Sequence, residues 1–395
     1  MNTIAFFVCF SAWTLNGVLV TFLVRHGVFA WDTARIGWLI GIPILIGSIT
    51  RLPIGVLTDQ YGGRIVFPVL MFITAVALIS LSLVKGTAAF ALAGAGLGLA
   101  GASFAVGVAE TSRRFPQSRQ GTALGIFGLG NLGAAFTSLL VPSLLLRLTE
   151  GREGLEGWRH LPQIYGGLLI ITAIFFILFV VSKDSGQTRR PKIGSYFSSL
   201  KNLRVWRFGF YYFCLFGGFV SLAQWLVPYF VNSYGTSLKT AGQLAAVFSL
   251  PCGVIRAGGG WVSDHWGARK VLYGVFGIAL ACALFLTIPG LDLRLFMPVV
   301  ILLGLSMGIG MGAVYKHIPS YFPEEIGTVG GLVGVIGGLG GFFLPMIFGA
   351  LLKATGLWSS CWILFALLIA ANLAWMHQVV RKISSGEINE FNVTR

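Results

Sequence analysis

Two arginines interrupt apolar runs that otherwise carry no charge. Arg51 lies in the run 36–57 and Arg256 in the run 240–261. Each precedes an aspartate by eight residues, Asp59 and Asp264, and the two arginines are 205 positions apart. In a helix, eight residues span about 12 Å. If the aspartates mark a membrane boundary, both guanidiniums lie near the middle of a hydrocarbon core about 30 Å thick. A charge at that depth costs at least about 2.5–3.5 kcal/mol. No carboxylate lies at comparable depth in the sequence. A guanidinium is planar and presents paired N–H donors suited to oxyanions. Two such forks, not neutralised by the protein, call for a small anion. Sugars, peptides and cationic drugs do not fit this electrostatics.

The elements that would carry these arginines follow from composition. Of 395 residues, 56% are hydrophobic and 10% charged, with a mean hydropathy of +0.84. A soluble domain needs about 25% charged residues to hydrate its surface. This chain therefore reads as solvated mostly by lipid, which excludes a disordered chain, a secreted disulfide scaffold and a nucleic-acid binder. The five cysteines, Cys9, Cys214, Cys252, Cys282 and Cys361, lie in apolar runs without metal-ligand spacing and read as hydrophobic fillers. No metal or cofactor is expected.

Twelve runs are long enough to cross a bilayer: 3–24, 36–57, 65–84, 88–111, 119–146, 162–182, 207–232, 240–261, 271–289, 296–317, 329–352 and 358–380. The first is read as a true span and not as a cleaved signal. The net charge of +15 fits basic cytoplasmic loops. With both termini cytoplasmic, 16 Lys and Arg fall on that side, nine on the other and three, Arg51, Arg256 and Lys316, within spans. On the far side, Arg152 and Arg159 lie near Glu150, Glu153 and Glu156. The longest gap, 183–206, holds or borders seven basic residues, Lys183, Arg189, Arg190, Lys192, Lys201, Arg204 and Arg207. The expected organisation is an N-terminal six-helix half (1–182), a cytoplasmic linker (183–206), a C-terminal half (207–382) and a tail (383–395).

Self-similarity supports two halves. Gly55-Val-Leu-Thr-Asp59-Gln-Tyr-Gly62-Gly63-Arg64 returns as Gly260-Trp-Val-Ser-Asp264-His-Trp-Gly267-Ala-Arg269, and Phe115-Pro116 as Phe322-Pro323. A parallel repeat of six helices is a transporter architecture. The aspartate of each loop can cap the next helix or pair with a basic group at a gate. Glycines crowd the fifth span (Gly121, Gly125, Gly128, Gly130, Gly133) and the eleventh (Gly327, Gly330, Gly331, Gly334, Gly337, Gly338, Gly340, Gly341). Such spacing allows close helix contact and bending. Asn131 places an amide at membrane depth. Glu110 and Lys316 end corresponding spans and are candidates for a proton-binding group or an inter-half gate pair, with His317 beside them.

These motifs resemble known ones. The repeated Gly-x-x-x-Asp-x-x-Gly-x-Arg loop is similar to that of the major facilitator superfamily. The stretch Gly101-Ala-Ser-Phe104-Ala-Val-Gly107 with Gly121-Thr-Ala-Leu-Gly125-Ile-Phe-Gly128-Leu-Gly130-Asn131-Leu-Gly133 resembles the signature region of the nitrate/nitrite porter family. So do Arg51-Leu-Pro-Ile-Gly55, Gly310-Met-Gly312-Ala-Val-Tyr315-Lys316 and Gly334-Val-Ile-Gly337-Gly338-Leu-Gly340-Gly341. The resemblance covers nearly the whole chain. It implies an all-α major facilitator fold of twelve helices in the inner membrane, moving nitrate or nitrite by alternating access, functional as a monomer and not an enzyme. It also implies that Arg51 and Arg256 hold the anion and that Tyr212, in Tyr212-Phe-Cys-Leu-Phe216-Gly217, donates a hydrogen bond to it. Phe216 would stack on the ion, Phe104 would form the opposite wall and Asn131 would line the cavity. Gly130, Gly133, Gly337 and Gly340 would serve as hinges, with Asp59 and Asp264 in the gate. Gln60 and His265 replace a usual basic residue of the loop, which bears on gating. Nitrate/nitrite exchange, nitrate/proton symport and carriage of another small anion, such as cyanate or an organic acid, all fit the arginine pair. An anion channel and a membrane-embedded enzyme are the readings of other classes. The two-half repeat argues against a channel, and the lack of a catalytic set at membrane depth argues against an enzyme.

Overall fold

A computed structural model describes residues 1–116, 119–150, 154–180, 201–322 and 326–386. Arg152, Glu153, Pro323, residues 183–200 of the expected linker and the tail from 387 lie outside the described residues. Twelve helices are long and apolar enough to span a membrane: α1 (Asn2–Arg25), α2 (Arg35–Tyr61), α3 (Gly63–Leu81), α4 (Thr87–Arg114), α5 (Gln120–Thr149), α6 (Gly154–Phe179), α7 (Leu203–Tyr234), α8 (Lys239–Trp266), α9 (Ala268–Leu286), α10 (Leu293–Ile318), α11 (Val329–Thr355) and α12 (Ser360–Ser384). The fold is all-α, as the twelve apolar runs require: only helices satisfy every backbone group locally in lipid. Large apolar side chains such as Leu92, Leu178 and Leu367 are exposed on the outside of the bundle, which suits contact with acyl chains.

The sequence repeat is a structural repeat. Gly62 and Gly267 each end one helix and start the next, with φ of 80° and 82°. That backbone region is open to glycine at little cost. It explains why the loop glycine recurs while its neighbours vary. The packing scheme also recurs: α1 on α5 matches α7 on α11, α3 on α6 matches α9 on α12, and α2 on α4 matches α8 on α10. The two sets meet along α5–α8 and α2–α11.

Helix bounds differ from expectation most at α6, which opens with the 3₁₀ turns Gly154–Arg159, and next at α7. It begins at Leu203, inside the stretch read as linker, because the Asn202 side-chain oxygen accepts from the Arg204 amide and caps the helix. That short polar start is invisible to a hydropathy window. On the other side of the bundle, Arg159 pairs with Glu156 as its sequence position suggested. All five cysteines are buried and free.

Among the described residues, four helices lose regularity in mid-span. α2 breaks at Thr50, immediately before Arg51. α4 tightens into a 3₁₀ turn at Leu99–Ala102, just before Phe104. α5 does so at Gly128–Asn131. α7 widens into a π turn at Phe213–Gly217. Such irregular turns free backbone groups and re-aim side chains, and they often mark functional positions.

Candidate functional site

The four irregular turns surround one buried polar centre. Arg51 is 0% and Arg256 2% exposed. Arg51 Nε donates to the Gly101 carbonyl (3.1 Å), and its Nη1 donates to the Gly334 carbonyl of α11. Arg256 Nη2 donates to the Tyr212 hydroxyl oxygen (3.1 Å), and its Nη1 lies 3.8 Å from Met311 Sδ. Among the described residues, neither arginine forms an ion pair with a carboxylate. Arg51 Nη2 and Arg256 Nε are buried without a partner. Because the Tyr212 oxygen accepts from Arg256, its own O–H remains to donate elsewhere.

Both arginines lie against Phe104. Each guanidinium carbon is 5.3 Å from its ring centroid, so the two charges lie within about 11 Å of each other. Cation–π contacts of this kind contribute about 0.5–2 kcal/mol each. Facing Phe104 are Tyr212 and Phe216, one helical turn apart on α7 and stacked at 4.9 Å with planes 5° apart. Their centroids are 6.2 and 6.1 Å from that of Phe104, at 19° and 15°. Three near-parallel rings thus face one another with both guanidiniums beside them. All three are at most 1% exposed. Asn131 is also buried, and neither amide atom has a protein partner. It closes the α5 turn whose first residue, Gly128, abuts Arg256: a Cβ there would sit 2.3 Å from Arg256 Nε.

Tyr315 belongs to this centre and was not among the expected site residues. Its ring meets Phe104 edge-on at 5.2 Å and Tyr212 at 4.9 Å. Its hydroxyl donates to the Gly330 carbonyl (2.9 Å). The sequence offered only its place in a glycine-rich tenth helix. One tyrosine among apolar neighbours carries no directional signal until the helices pack.

The glycines serve contacts of different kinds. A Cβ on Gly130 would meet the Phe6 ring at 2.3 Å, and one on Gly133 the Phe7 carbonyl at 2.4 Å, so both seat α5 on α1. The mirrored pair seats α11 on α7: Gly337 against Tyr212 at 2.2 Å and Gly340 against the Phe213 carbonyl at 2.7 Å. Gly337→Ala is expected to push the Tyr212 ring aside and reduce transport at least about tenfold, overpacking by about 1–3 kcal/mol. Gly331→Ala is the control, since a Cβ there meets nothing within 4 Å. Equal uptake rates for the two variants would remove this reading.

Both aspartates of the loop motifs lie at one end of the bundle. Asp264 of α8 reaches across to α5, accepting from the Thr122 amide (2.9 Å) and hydroxyl (2.8 Å). It also pairs with Lys316 at 2.6 Å. Asp59 pairs with Arg113 within its own half. Glu110 accepts from Arg114 (2.6 and 2.8 Å) and from the Gly63 amide at the start of α3 (3.3 Å). The expected inter-half pair of Glu110 with Lys316 is therefore not formed. Each has a nearer partner of opposite charge, Arg114 one helical turn away for Glu110 and Asp264 for Lys316.

Asp264→Ala removes the acceptor that the Thr122 amide and hydroxyl use across the boundary between the halves. Spin labels on Arg119→Cys and His265→Cys are expected to show a larger separated population in this variant. An unchanged distance distribution would show that the Asp264–Thr122 bonds do not hold the halves together.

The centre is shut off at both ends. Near the motifs, a Cβ on Gly260 would sit 2.1 Å from the Gly121 carbonyl, so α5 and α8 meet backbone to backbone. At the other end, Gly41 lies against the Phe342 ring. A cavity of about 790 Å³ opens at the motif end among Thr111, Arg119, Trp261 and His265, and it stops at Phe127. That ring stacks on Phe6 at 4.8 Å and lies 5.8 Å from Phe104.

Comparisons with known proteins agree with this architecture. The family model of the Major Facilitator Superfamily matches residues 1–345. The chain is 38% identical to a probable nitrate/nitrite antiporter, NarK1, of Thermus thermophilus, covering 98% of this chain and 92% of that one. It is 32% identical to a probable nitrate transporter, NarT, of Staphylococcus haemolyticus, covering 93% and 92%. Among solved structures, the transporter FucP in its outward conformation superposes with a TM-score of 0.73 at 17% identity, over 95% of this chain and 98% of that one. The repeat, the helix packing and these relatives together place the chain in the major facilitator superfamily, and within it in the nitrate/nitrite porter family.

Proposed function

We propose that this protein carries nitrate and nitrite across the cytoplasmic membrane by alternating access, with the ion held between Arg51 and Arg256. The observation that carries the proposal is two fully buried guanidiniums without a carboxylate among the described residues. Each keeps a buried N–H that has no partner in the protein. Breaking a buried ion pair costs about 3–5 kcal/mol because one charge is left uncompensated. An anion supplied from outside removes that penalty at both ends of the ring-lined space.

Each part then has a role. The two forks supply charge and in-plane donors, the free Tyr212 O–H fixes the orientation of one oxygen, and Phe104 with Phe216 confines a flat ion. Asn131 supplies an amide to the cavity. A trigonal oxyanion matches the planar forks better than a tetrahedral one. The names of the relatives support nitrate and nitrite as the class of substrate. Both termini are assigned to the cytoplasm, where the excess of Lys and Arg falls.

The test is uptake of labelled nitrate by proteoliposomes, with and without internal nitrite, with and without a pH gradient. Saturable uptake that nitrite competes for, and that cyanate, formate and sulfate leave unchanged, is expected. Uptake inhibited equally by cyanate or an organic acid would overturn the substrate assignment. Non-saturating flux without counterflow would indicate a channel.

A further inference from the structure

We propose that Tyr315 is a positioning residue for the transport cycle: its hydroxyl holds the glycine face of α11 where Arg51 must find it when the two halves close. The proposal rests on the nitrate-carrier reading for its transport readout, but not for its structural one.

Arg51 belongs to the first half and α11 to the second. The bond from Arg51 Nη1 to the Gly334 carbonyl therefore joins the halves at the site itself. One helical turn before Gly334 on the same face, the Gly330 carbonyl accepts from Tyr315. Gly330, Gly334 and Gly338 recur every four residues, so their carbonyls form one row along α11. Each of these carbonyls already serves the helix, and the row takes its second donors in succession, one from Tyr315 and one from Arg51.

The geometry leaves little freedom. A Cβ on Gly334 would lie 3.2 Å from the Tyr315 hydroxyl and 3.5 Å from Arg51 Cδ. A Cβ on Gly338 would lie 2.9 Å from Arg51 Nη1 and 2.3 Å from Ser48 Oγ. α11 is rich in glycine on this face, and glycine leaves the backbone more states to lose. A fixed anchor one turn from the Arg51 contact restricts that freedom. The anchor itself is rigid, because the Tyr315 ring is 2% exposed and wedged edge-on against Phe104 and Tyr212.

The consequence is a division of labour within one guanidinium. Nε and Nη1 of Arg51 are spent on the carbonyls of Gly101 and Gly334, which orient the plane. Nη2 remains for the anion. Tyr315 acts through α11 and touches the ion by no donor, since its O–H is committed to Gly330. Its loss slows closure and leaves the affinity of the open carrier alone.

Tyr315→Phe keeps the ring and removes the hydroxyl. In proteoliposomes, nitrate exchange turnover is expected to fall about fivefold, the equivalent of one hydrogen bond. The dissociation constant for nitrate, measured by calorimetry on the purified variant, should stay within about twofold of the parent. A weaker dissociation constant with unchanged turnover would mean that Tyr315 contacts the ion, and would overturn the proposal. Unchanged values of both would make it a spectator, with the same result. Hydrogen exchange of the substrate-free protein tests the anchor whatever the substrate. Amides of residues 334–338 should exchange about fivefold faster in Tyr315→Phe. Equal exchange rates overturn the proposal even if the parent protein carries some other anion, whereas faster exchange in a parent that moves no nitrate overturns only the substrate assignment.

Discussion

Replacing either arginine by lysine is expected to reduce nitrate transport at least about a hundredfold while the protein stays folded. Lysine keeps the charge but offers one nitrogen in place of three. At Arg51 that single ammonium cannot reach the Gly101 carbonyl, the Gly334 carbonyl and the anion together, because Nε and the two Nη atoms now serve separate directions. At Arg256 it cannot both hold the Tyr212 hydroxyl and face the ring-lined space. Hydrogen bonds to charged groups contribute about 1.5–3 kcal/mol each, and each substitution forfeits at least two. The cation–π contact with Phe104 is retained in sign but weakened in geometry. Uptake by proteoliposomes, with the melting temperature as the control for folding, reads the effect. Near-normal nitrate affinity in both Arg51→Lys and Arg256→Lys would remove the arginine pair from the site.

Uptake into vesicles that contain neither nitrate nor nitrite is expected to stay at a few per cent of the rate seen with nitrite inside. The reason is the cost of closing an unloaded carrier. The two guanidiniums lie within about 11 Å of each other and away from water. At an effective dielectric constant of about 20, their repulsion is at least about 1.5 kcal/mol. Each charge also lacks a carboxylate among the described residues, and an uncompensated buried charge costs about 3–5 kcal/mol. The carbonyls of Gly101 and Gly334 and the oxygen of Tyr212 soften this cost, but they are dipoles and cancel no charge. An anion between the forks halves the net charge that opposes closure, so the loaded carrier is expected to return more readily than the empty one. Exchange of nitrate for nitrite is the expected outcome. Robust accumulation into empty vesicles under an imposed proton gradient would reject strict exchange and favour symport. Glu110 would not be the obvious proton carrier in that case, because it is engaged by Arg114 and the start of α3.

Much of the centre was legible before any coordinates. The period of the repeat is preserved by covalent order, so Arg51 and Arg256 could be paired by counting, and their depth followed from the rise of a helix. The resemblance to the porter family then pointed to Tyr212, Phe216, Phe104 and Asn131, all of which are buried about the same centre. Tyr315 was missed because its role depends on a hydrogen bond to α11, and nothing in a run of apolar residues says which backbone carbonyl a hydroxyl will meet. The polar gate was misread for a related reason. Glu110 and Lys316 match in position along their spans, but salt-bridge choice depends on side-chain reach, and Arg114 and Asp264 are closer.

Composition and spacing along the chain are enough for the class of the protein. Its apolar content demands helices in lipid, its charge bias sets an expected orientation, its loop repeat imposes two similar halves, and its two deep arginines point to an anion. Each of these depends on local composition or on spacing along one chain, so each survives without tertiary knowledge. How the halves meet depends on the folded bundle. That Asp264 crosses to Thr122, that Phe104 touches both guanidiniums, and that Arg51 spends one donor on α11 all depend on packing between residues far apart in the chain. Such contacts are selected by shape and by the short range of hydrogen bonds, and neither is encoded in periodicity.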